Sequence, residues 1–169
     1  MLEGSERFRS IKLISVPESS VVVKSWGELT TSELYSFVKL RTDVFFVEQQ
    51  VDEEELDNRD QEPTTRHYWL TDAAGTSAYL RVLVNRTAEY LDAHRVIGRV
   101  VVRADHRGEG LAQVLMRRVI EDFGAEAMLL HSQEYVAPLY AKFDFVPFGT
   151  PYIEATIPHI SMYRAGATT

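Results

Sequence analysis

One stretch of the sequence constrains the fold more than any other: an apolar run that leads into a glycine-rich turn. Val96 to Arg103 has the pattern of a buried strand, and the turn from Arg107 to Ala112 (RGEGLA) follows it and opens a helix. A strand, a turn and a helix in this order direct several backbone N–H groups toward one point, which suits a phosphate group. The turn lacks the Gly-Lys-Ser/Thr ending of a P-loop and the full glycine spacing of a dinucleotide fold. Taken alone, it fits an ordinary helix-capping turn equally well.

The length and hydropathy of the chain favour one globular domain. Its 169 residues suffice for a single domain spanning residues 1–169, with a core at about residues 21–164. No apolar run approaches the roughly 20 residues that span a bilayer. No apolar stretch follows the first seven residues, as it would in a signal peptide. We therefore expect a cytoplasmic protein with no membrane partner.

Residue composition excludes several kinds of chemistry. The chain has no cysteine, which excludes disulfides, thiolate metal sites and a cysteine nucleophile. Its five histidines show no metal-ligand spacing, so no catalytic metal is predicted. The net charge of -7 argues against nucleic acid as a partner, because no basic stripe offsets it. The same charge is compatible with a cationic substrate such as an amine.

Hydrophobic periodicity predicts alternating strands and helices, and therefore a mixed α/β sheet. Thr30 and Glu33 have capping-box spacing, so a helix should begin there and continue to about Phe45. Gly124 is expected to end a later helix as a left-handed C′ residue. Residues 1–20 are expected to form an edge strand or a loose lead-in. The other predicted strands are Val21–Trp26, His67–Thr71, Ser77–Asn85, Arg95–Arg103, Ala127–Ser132, Phe145–Phe148 and His159–Tyr163, and the other predicted helices are Gly110–Phe123 and Val136–Phe143.

A strongly acidic segment lies between Val51 and Arg66. Such a charge run is typical of a solvated loop, and we favour that interpretation over a cation-recruiting rim. Arg41 falls on or beside the apolar stripe of the preceding helix, where a charged residue needs a partner. We expect that partner to be Glu48 or a nearby carboxylate.

The order of elements and motifs resembles the GNAT acyl-CoA-dependent N-acyltransferases over about Leu29 to Tyr163. Arg-x-x-Gly-x-Ala, here Arg107, Gly110 and Ala112, is similar to the pyrophosphate loop of that superfamily. The resemblance implies a central, mostly antiparallel twisted sheet flanked by helices. One departure is Asp144, where members carry Gly, although Asp tolerates a left-handed backbone. Further segments are similar to the ElaA-like branch, namely Lys39–Gln49, Arg66-His67, Ile97–Val102, Gln133 and Ile157–Met162.

The resemblance implies acetyl-CoA as co-substrate and direct attack by a primary amine of a small-molecule or peptide acceptor, with no covalent enzyme intermediate. The loop amides would hold the pyrophosphate at the positive end of the following helix. The preceding strand would offer main-chain groups to the pantetheine arm, and one N–H to the thioester carbonyl. The implied cofactor-binding residues are Val100, Val101, Val102, Arg107, Gly108, Glu109, Gly110, Leu111, Ala112 and Gln133.

Tyr140 matches the tyrosine that protonates the departing thiolate in many members of the superfamily. A phenol suits that role because the sulfur becomes basic as the C–S bond breaks; the alternative is a core tyrosine. The candidate general bases are Glu48, His67 and His159, and a water chain to bulk solvent is a further option. Each of these side chains also has an ordinary structural explanation.

Three functional classes stay open on the sequence. The first is the N-acetyltransferase, the second is a non-catalytic acyl-CoA-binding regulatory module, and the third is a partner-binding domain that uses the acidic segment. The acceptor has no signature in the sequence. The apolar C-terminal strands fit either pairing between two subunits of a homodimer or completion of one sheet.

Overall fold

The computed structural model describes residues 20–167, in which seven strands form one sheet of order β1-β2-β3-β4-β5-β7-β6. All neighbouring strands are antiparallel except β4 and β5, which run parallel. The mostly antiparallel sheet expected from the sequence is thus confirmed. Because β7 lies between β5 and β6, the C-terminal strands complete the sheet of their own chain. The strands are β1 Val22–Lys24, β2 Arg66–Asp72, β3 Gly75–Val84, β4 Arg95–Val102, β5 Met128–Gln133, β6 Val146–Glu154 and β7 Ile157–Arg164.

Helices cover both faces of the sheet. The longest is α2 (Leu111–Phe123), whose buried stripe includes Leu115 and Val119 and packs on the face formed by β2, β3, β4 and β5. Helix α1 (Thr31–Arg41) packs Phe37 and Leu40 on the opposite face. Side chains three or four residues apart share one helix face, so each stripe meets the sheet along its length. None of the helices between residues 20 and 167 combines the length and apolarity needed to cross a membrane.

The first helix changes its character at its C-terminal end. The Thr30–Glu33 capping box is present as predicted, but the α-helical part ends at Arg41 rather than near Phe45. The chain continues as a π-helix over Thr42–Glu48. The Thr42 hydroxyl donates to the Val38 carbonyl at 2.9 Å, and such back-bonding competes with regular helix hydrogen bonds. The π-helix ends at Glu48 and places this residue at the sheet edge described below.

Strand β4 separates from β5 halfway along its length. The two pair only over Arg95–Ile97, because a bulge then interrupts β4. Two residues, Arg99 and Val100, lie opposite the single residue Leu80 of β3. Such a bulge bends the strand that carries it. The gap that opens between β4 and β5 is the entrance to the candidate site.

Several local predictions differ from the structure. The first strand is shorter than Val21–Trp26, and the short helix α3 (Ala137–Ala141) follows a 3-10 turn. Gly124 is the C-cap of α2 with φ −62°, not a left-handed C′ residue. It is glycine because a Cβ there would lie 2.4 Å from the Ile120 carbonyl oxygen. Asp144 does adopt φ +65°. The predicted N-terminal lead-in lies almost entirely outside the described residues.

The acidic segment is not simply a solvated loop, and this expectation was wrong in part. Asp60 is buried and accepts from Arg41 Nη1 with both oxygens at 3.0 Å. Glu55 pairs with Arg41 as well. Arg41 therefore finds its carboxylates here and not at Glu48. The segment neutralises guanidinium groups that the fold buries, as buried charges require.

Candidate active site

A cleft of about 740 Å³ opens where β4 and β5 separate. Its walls come from the π-helix, the acidic segment, β4, the start of α2, β5, α3 and the turn between β6 and β7. Val100, Val101 and Val102 line it. Since β5 no longer pairs with β4 beyond Ile97, this edge of β4 offers main-chain groups to a ligand in the cleft.

The glycine turn ends at the beginning of α2. Gly108 and Gly110 have φ of +82° and +83°, a conformation that glycine adopts without a steric penalty. Gly110 is the N-cap residue, and as a glycine it has no side chain to accept from the first-turn amides. The N–H groups of Leu111 and Ala112 belong to that turn and have no intrahelical acceptor. These residues fit a diphosphate, because the amides and the positive helix end converge there.

Arg107 at the start of this turn is engaged by Glu48 of the π-helix. Its Nη1 and Nη2 donate to the two Glu48 carboxylate oxygens at 2.7 and 2.8 Å. Both side chains are nearly half exposed. Arg107 holds the pKa of Glu48 below its usual value. A carboxylate that is ionised and doubly paired is a weak proton acceptor, which disfavours Glu48 as a general base.

The neighbouring glutamine ties the same segment to the other side of the gap. Gln133 Nε2, at the end of β5, donates to Gln49 Oε1 at 3.0 Å. Glu48 and Gln49 therefore bridge from the turn after β4 to the end of β5. Both residues, like Gln133, line the cleft. Glu109 of the turn faces away toward His106, whose Nδ1 lies 2.6 Å from its carboxylate.

Tyr140 of α3 lines the cleft and is 5% exposed. Burial raises the pKa of its phenol, because an ionised phenolate would lose its hydration. The hydroxyl therefore keeps its proton at neutral pH. A protonated phenol in the cleft can donate to a group that becomes basic during a reaction.

His159 of β7 also lines the cleft. Its Nδ1 lies 2.8 Å from the Ile157 carbonyl oxygen, and because a carbonyl only accepts, Nδ1 carries the proton of the neutral ring. Nε2 is then the free acceptor. The ring stacks on Tyr152 with centroids 5.8 Å apart, and Nε2 lies 3.9 Å from a Glu154 carboxylate oxygen. This fixed tautomer suits a proton acceptor.

His67 lies elsewhere, and the structure does not support it as a base. It is completely buried and stacks on Phe37 at 5.2 Å. Nε2 faces the Asp60 carbonyl at 3.0 Å and Nδ1 faces the Tyr79 hydroxyl at 2.7 Å. Burial lowers the pKa of the ring. With both nitrogens bonded inside the protein, His67 is a structural residue.

One feature of the cleft was not anticipated from the sequence. Arg81 and Arg99 line it from β3 and β4, and both pair with the acidic segment. The sequence signal that could have indicated them is a charged residue inside the apolar pattern of each strand. His131 of β5 also lines the cleft, where its Nε2 lies 2.7 Å from Glu89. Among residues 20–167, one trio has metal-ligand proximity, namely Asp72, Asp105 and His106, but Arg103 pairs with both of its carboxylates.

A sheet splayed between its two parallel strands, with a glycine turn at a helix start beside the gap, defines an acyl-CoA N-acyltransferase fold. An acyl-CoA N-acyltransferase from Pseudomonas aeruginosa is 35% identical, with a TM-score of 0.76 over 86% of this chain and 98% of the other. The crystal structure of Escherichia coli ElaA is 32% identical, with a TM-score of 0.76 over 85% of this chain and 97% of that one.

The family follows from the sequence match. Residues 33–165 match the model of the acetyltransferase (GNAT) domain, and the chain belongs to this family. Protein ElaA of Escherichia coli is 35% identical over 144 residues, which are 82% of this chain and 91% of ElaA. The protein is therefore an ElaA-like GNAT transferase, as the sequence motifs indicated. Acyl transfer is the chemistry of this family.

Proposed function

We propose that this protein transfers an acetyl group from acetyl-CoA to a primary amine of a small molecule or peptide. One observation carries the proposal: Tyr140 and His159 line the same cleft, one as a protonated phenol and the other with a free ring nitrogen. The glycine turn at the start of α2 gives that cleft an anion-binding end. A donor, an acceptor and a diphosphate cradle around one cavity are what direct acyl transfer from a CoA thioester requires.

In this proposal, the chain holds the co-substrate mainly through its backbone. The amides of Gly108, Gly110, Leu111 and Ala112 and the Arg107 guanidinium receive the diphosphate, and the edge of β4 beyond Ile97 receives the amide-rich pantetheine arm. One amide of Val100 to Val102 donates to the thioester carbonyl oxygen, where negative charge develops during attack. When bound, acetyl-CoA supplies the acetyl group as an activated thioester.

The protein's own side chains move two protons. His159 Nε2 removes a proton from the acceptor ammonium, which frees the nitrogen lone pair to attack the carbonyl carbon. As the C–N bond forms, the C–S bond breaks and the electron pair leaves with sulfur. The Tyr140 hydroxyl gives its proton to that thiolate, and the second proton that the nitrogen loses on becoming an amide passes through solvent to restore the phenol. No covalent bond to the enzyme forms, which agrees with a chain that has no cysteine.

Thiol release from acetyl-CoA in the presence of a panel of primary amines tests this function. We expect turnover with at least one amine, and a drop in kcat of about 10²–10⁴-fold in Tyr140→Phe, which removes a general acid. Tyr68→Phe is the matched control, because it removes another buried hydroxyl, bonded to Asp122 and outside the cleft lining. Acetyl-CoA binding without turnover on any amine would instead favour a non-catalytic binding module.

A further inference from the structure

The bulge of β4 is held in a strained shape by an arginine. Arg99 has φ +54°, although its neighbour Gly98 could adopt this left-handed conformation freely. A non-glycine residue is disfavoured there, because its Cβ crowds the following carbonyl oxygen. Such strain persists only where the surroundings over-determine it, and it is concentrated at functional sites. The contacts of the Arg99 side chain should therefore explain why the bulge has this shape.

Those contacts all reach one short part of the acidic segment. Arg99 Nε lies 2.7 Å from Glu55 Oε2. Its Nη2 donates to the carbonyl oxygens of Glu54 and Glu55 at 3.1 and 3.3 Å, and lies 3.6 Å from Asp57 Oδ2. The side chain is 28% exposed and lines the cleft. Arg99 thus fastens the segment to the bulge from within the candidate active site.

Two buried arginines also bind the acidic segment. Together with the contacts of Arg99, their ion pairs form a closed ring of alternating charges. Glu55 and Asp60 accept from the buried Arg41, and Asp60 and Asp57 accept from the buried Arg81. Three guanidinium groups and three carboxylates compensate one another, which a buried ionic network needs. We name this network the charge ring; its members are Arg41, Glu55, Asp57, Asp60, Arg81 and Arg99.

The bulge also decides where the β4 amides point. It separates β4 from β5 beyond Ile97 and starts the Val100–Val102 edge that faces the cleft. An amide that stabilises developing charge must be aimed in advance, because small errors in direction weaken it. A residue that fixes the bulge therefore fixes the direction of that amide.

We propose that Arg99 is a positioning residue that, through Glu55 and the charge ring, aims the β4 amides at the thioester carbonyl oxygen. The inference rests on the proposed function, because it assumes that acetyl-CoA occupies the cleft. Arg99 itself has no part in proton transfer. Its guanidinium fixes the conformation of the β4 backbone, and the backbone amides bind the substrate.

The test compares Arg99→Asn with Arg95→Asn. Asparagine tolerates the left-handed conformation, so the first variant can still form the bulge but loses the Arg99 contacts that fix its direction. Arg95 lies on the same strand and pairs with Glu126 outside the cleft. Glu55→Gln removes the carboxylate that Arg99 contacts. It is the second test variant if Arg99→Asn does not fold. Binding is measured by calorimetry, and polarisation by the infrared band of acetyl-CoA labelled with carbon-13 at the carbonyl.

We expect the bound carbonyl band of the wild type to lie below that of free acetyl-CoA. In Arg99→Asn and Glu55→Gln it should return toward the free value, while Kd changes less than about threefold and kcat falls about 100-fold. Arg95→Asn should match the wild type in all three. An unchanged band and kcat in both Arg99→Asn and Glu55→Gln would overturn the inference and leave Arg99 a merely structural role. Failure of the wild type to bind acetyl-CoA would overturn the proposed function, and this inference with it.

Discussion

Glu48 and Arg107, 59 residues apart in sequence, join the end of the π-helix to the glycine turn through two parallel hydrogen bonds. The Glu48 carboxylate takes the position of an anion on the arginine that we assign to the diphosphate. A bound diphosphate would compete with Glu48 for the same two N–H donors. In our proposal, the anion site of the free protein is therefore partly satisfied by Glu48 rather than open.

The first prediction concerns this competition. Glu48→Gln removes the competing charge, so acetyl-CoA should bind about 1.4–5-fold more tightly, since an exposed ion pair contributes about 0.2–1 kcal/mol. Calorimetric titration measures the change. Asp43→Asn is the control, because it breaks an exposed ion pair with Lys39 outside the cleft. Weaker binding by Glu48→Gln would show that Glu48 supports the site instead of competing for it.

The second prediction concerns the glycine turn, to which we assign the diphosphate. Arg107→Glu combined with Gly110→Asp should weaken acetyl-CoA binding more than tenfold, because both changes place negative charge at the diphosphate. The second change also strains a backbone with φ +83°. Lys142→Glu with Gly149→Asp introduces the same charges and the same kind of strain, at φ +70°, away from the turn. Equal losses in both double variants would place the anion site elsewhere.

The third prediction separates His159 from the other histidines. His159→Gln should lower kcat about 10²–10⁴-fold, because no ring nitrogen remains to accept the proton. His94→Gln is the matched control: its Nδ1 also meets a backbone carbonyl, that of Asn85, but it is outside the cleft lining. A wild-type kcat in His159→Gln would leave proton removal to water.

Asp60 in the charge ring gives a stability prediction. Asp60→Asn leaves Arg41 and Arg81 without their shared buried carboxylate. Breaking a buried pair from one side removes about 3–5 kcal/mol from the free energy of unfolding. Urea denaturation measures the loss, and Asp52→Asn, an exposed position in the same segment, should change it by less than about 0.5 kcal/mol. A small loss at Asp60 would mean that the ring contributes little to folding.

The buried His67 predicts a pH dependence of stability. Its pKa is lower in the folded protein, so the unfolded chain binds more protons as the pH falls below about 6.5, the usual value for histidine. Stability from this residue is therefore complete above that pH and decreases below it. Denaturation at pH 5 to 8 should show a weaker acid loss in His67→Gln than in the wild type.

His106 provides a contrast of opposite sign to His67. Hydrogen bonds to Glu109 and Asp72 raise the pKa of His106. Its contribution to stability is therefore present at low pH and is lost as the pH rises through the folded value. His106→Gln should accordingly be destabilised relative to the wild type mainly at low pH. The same acid dependence in His67→Gln and His106→Gln would contradict both assignments.

Much of the architecture could be read from local patterns. The capping box at Thr30, the stripe of α2 and the β2–β3 hairpin each depend on residues close in sequence. The glycine turn is local as well, because its backbone conformation belongs to Gly108 and Gly110. These features were sufficient for the fold and the family, and the anion-binding role of the turn stays a prediction.

Long-range pairing decided the rest. The sequence carries Glu48, His67 and His159 as equivalent candidates, and only packing shows that Arg107 engages the first and that burial encloses the second. The change from α-helix to π-helix at Thr42 is likewise not revealed by helical periodicity.

The acidic segment shows the same limit most clearly. Its composition determines that it is negatively charged. A run of charged residues gains ion-pair partners only when the chain folds and brings distant residues to it. The tertiary structure places Arg41, Arg81 and Arg99 against it and so converts a solvated loop into a wall of the cleft. Local sequence determined which helices and hairpins form, because their hydrogen bonds join residues close in sequence. Which charges meet was decided by the fold, because only the fold brings distant residues within Coulombic range.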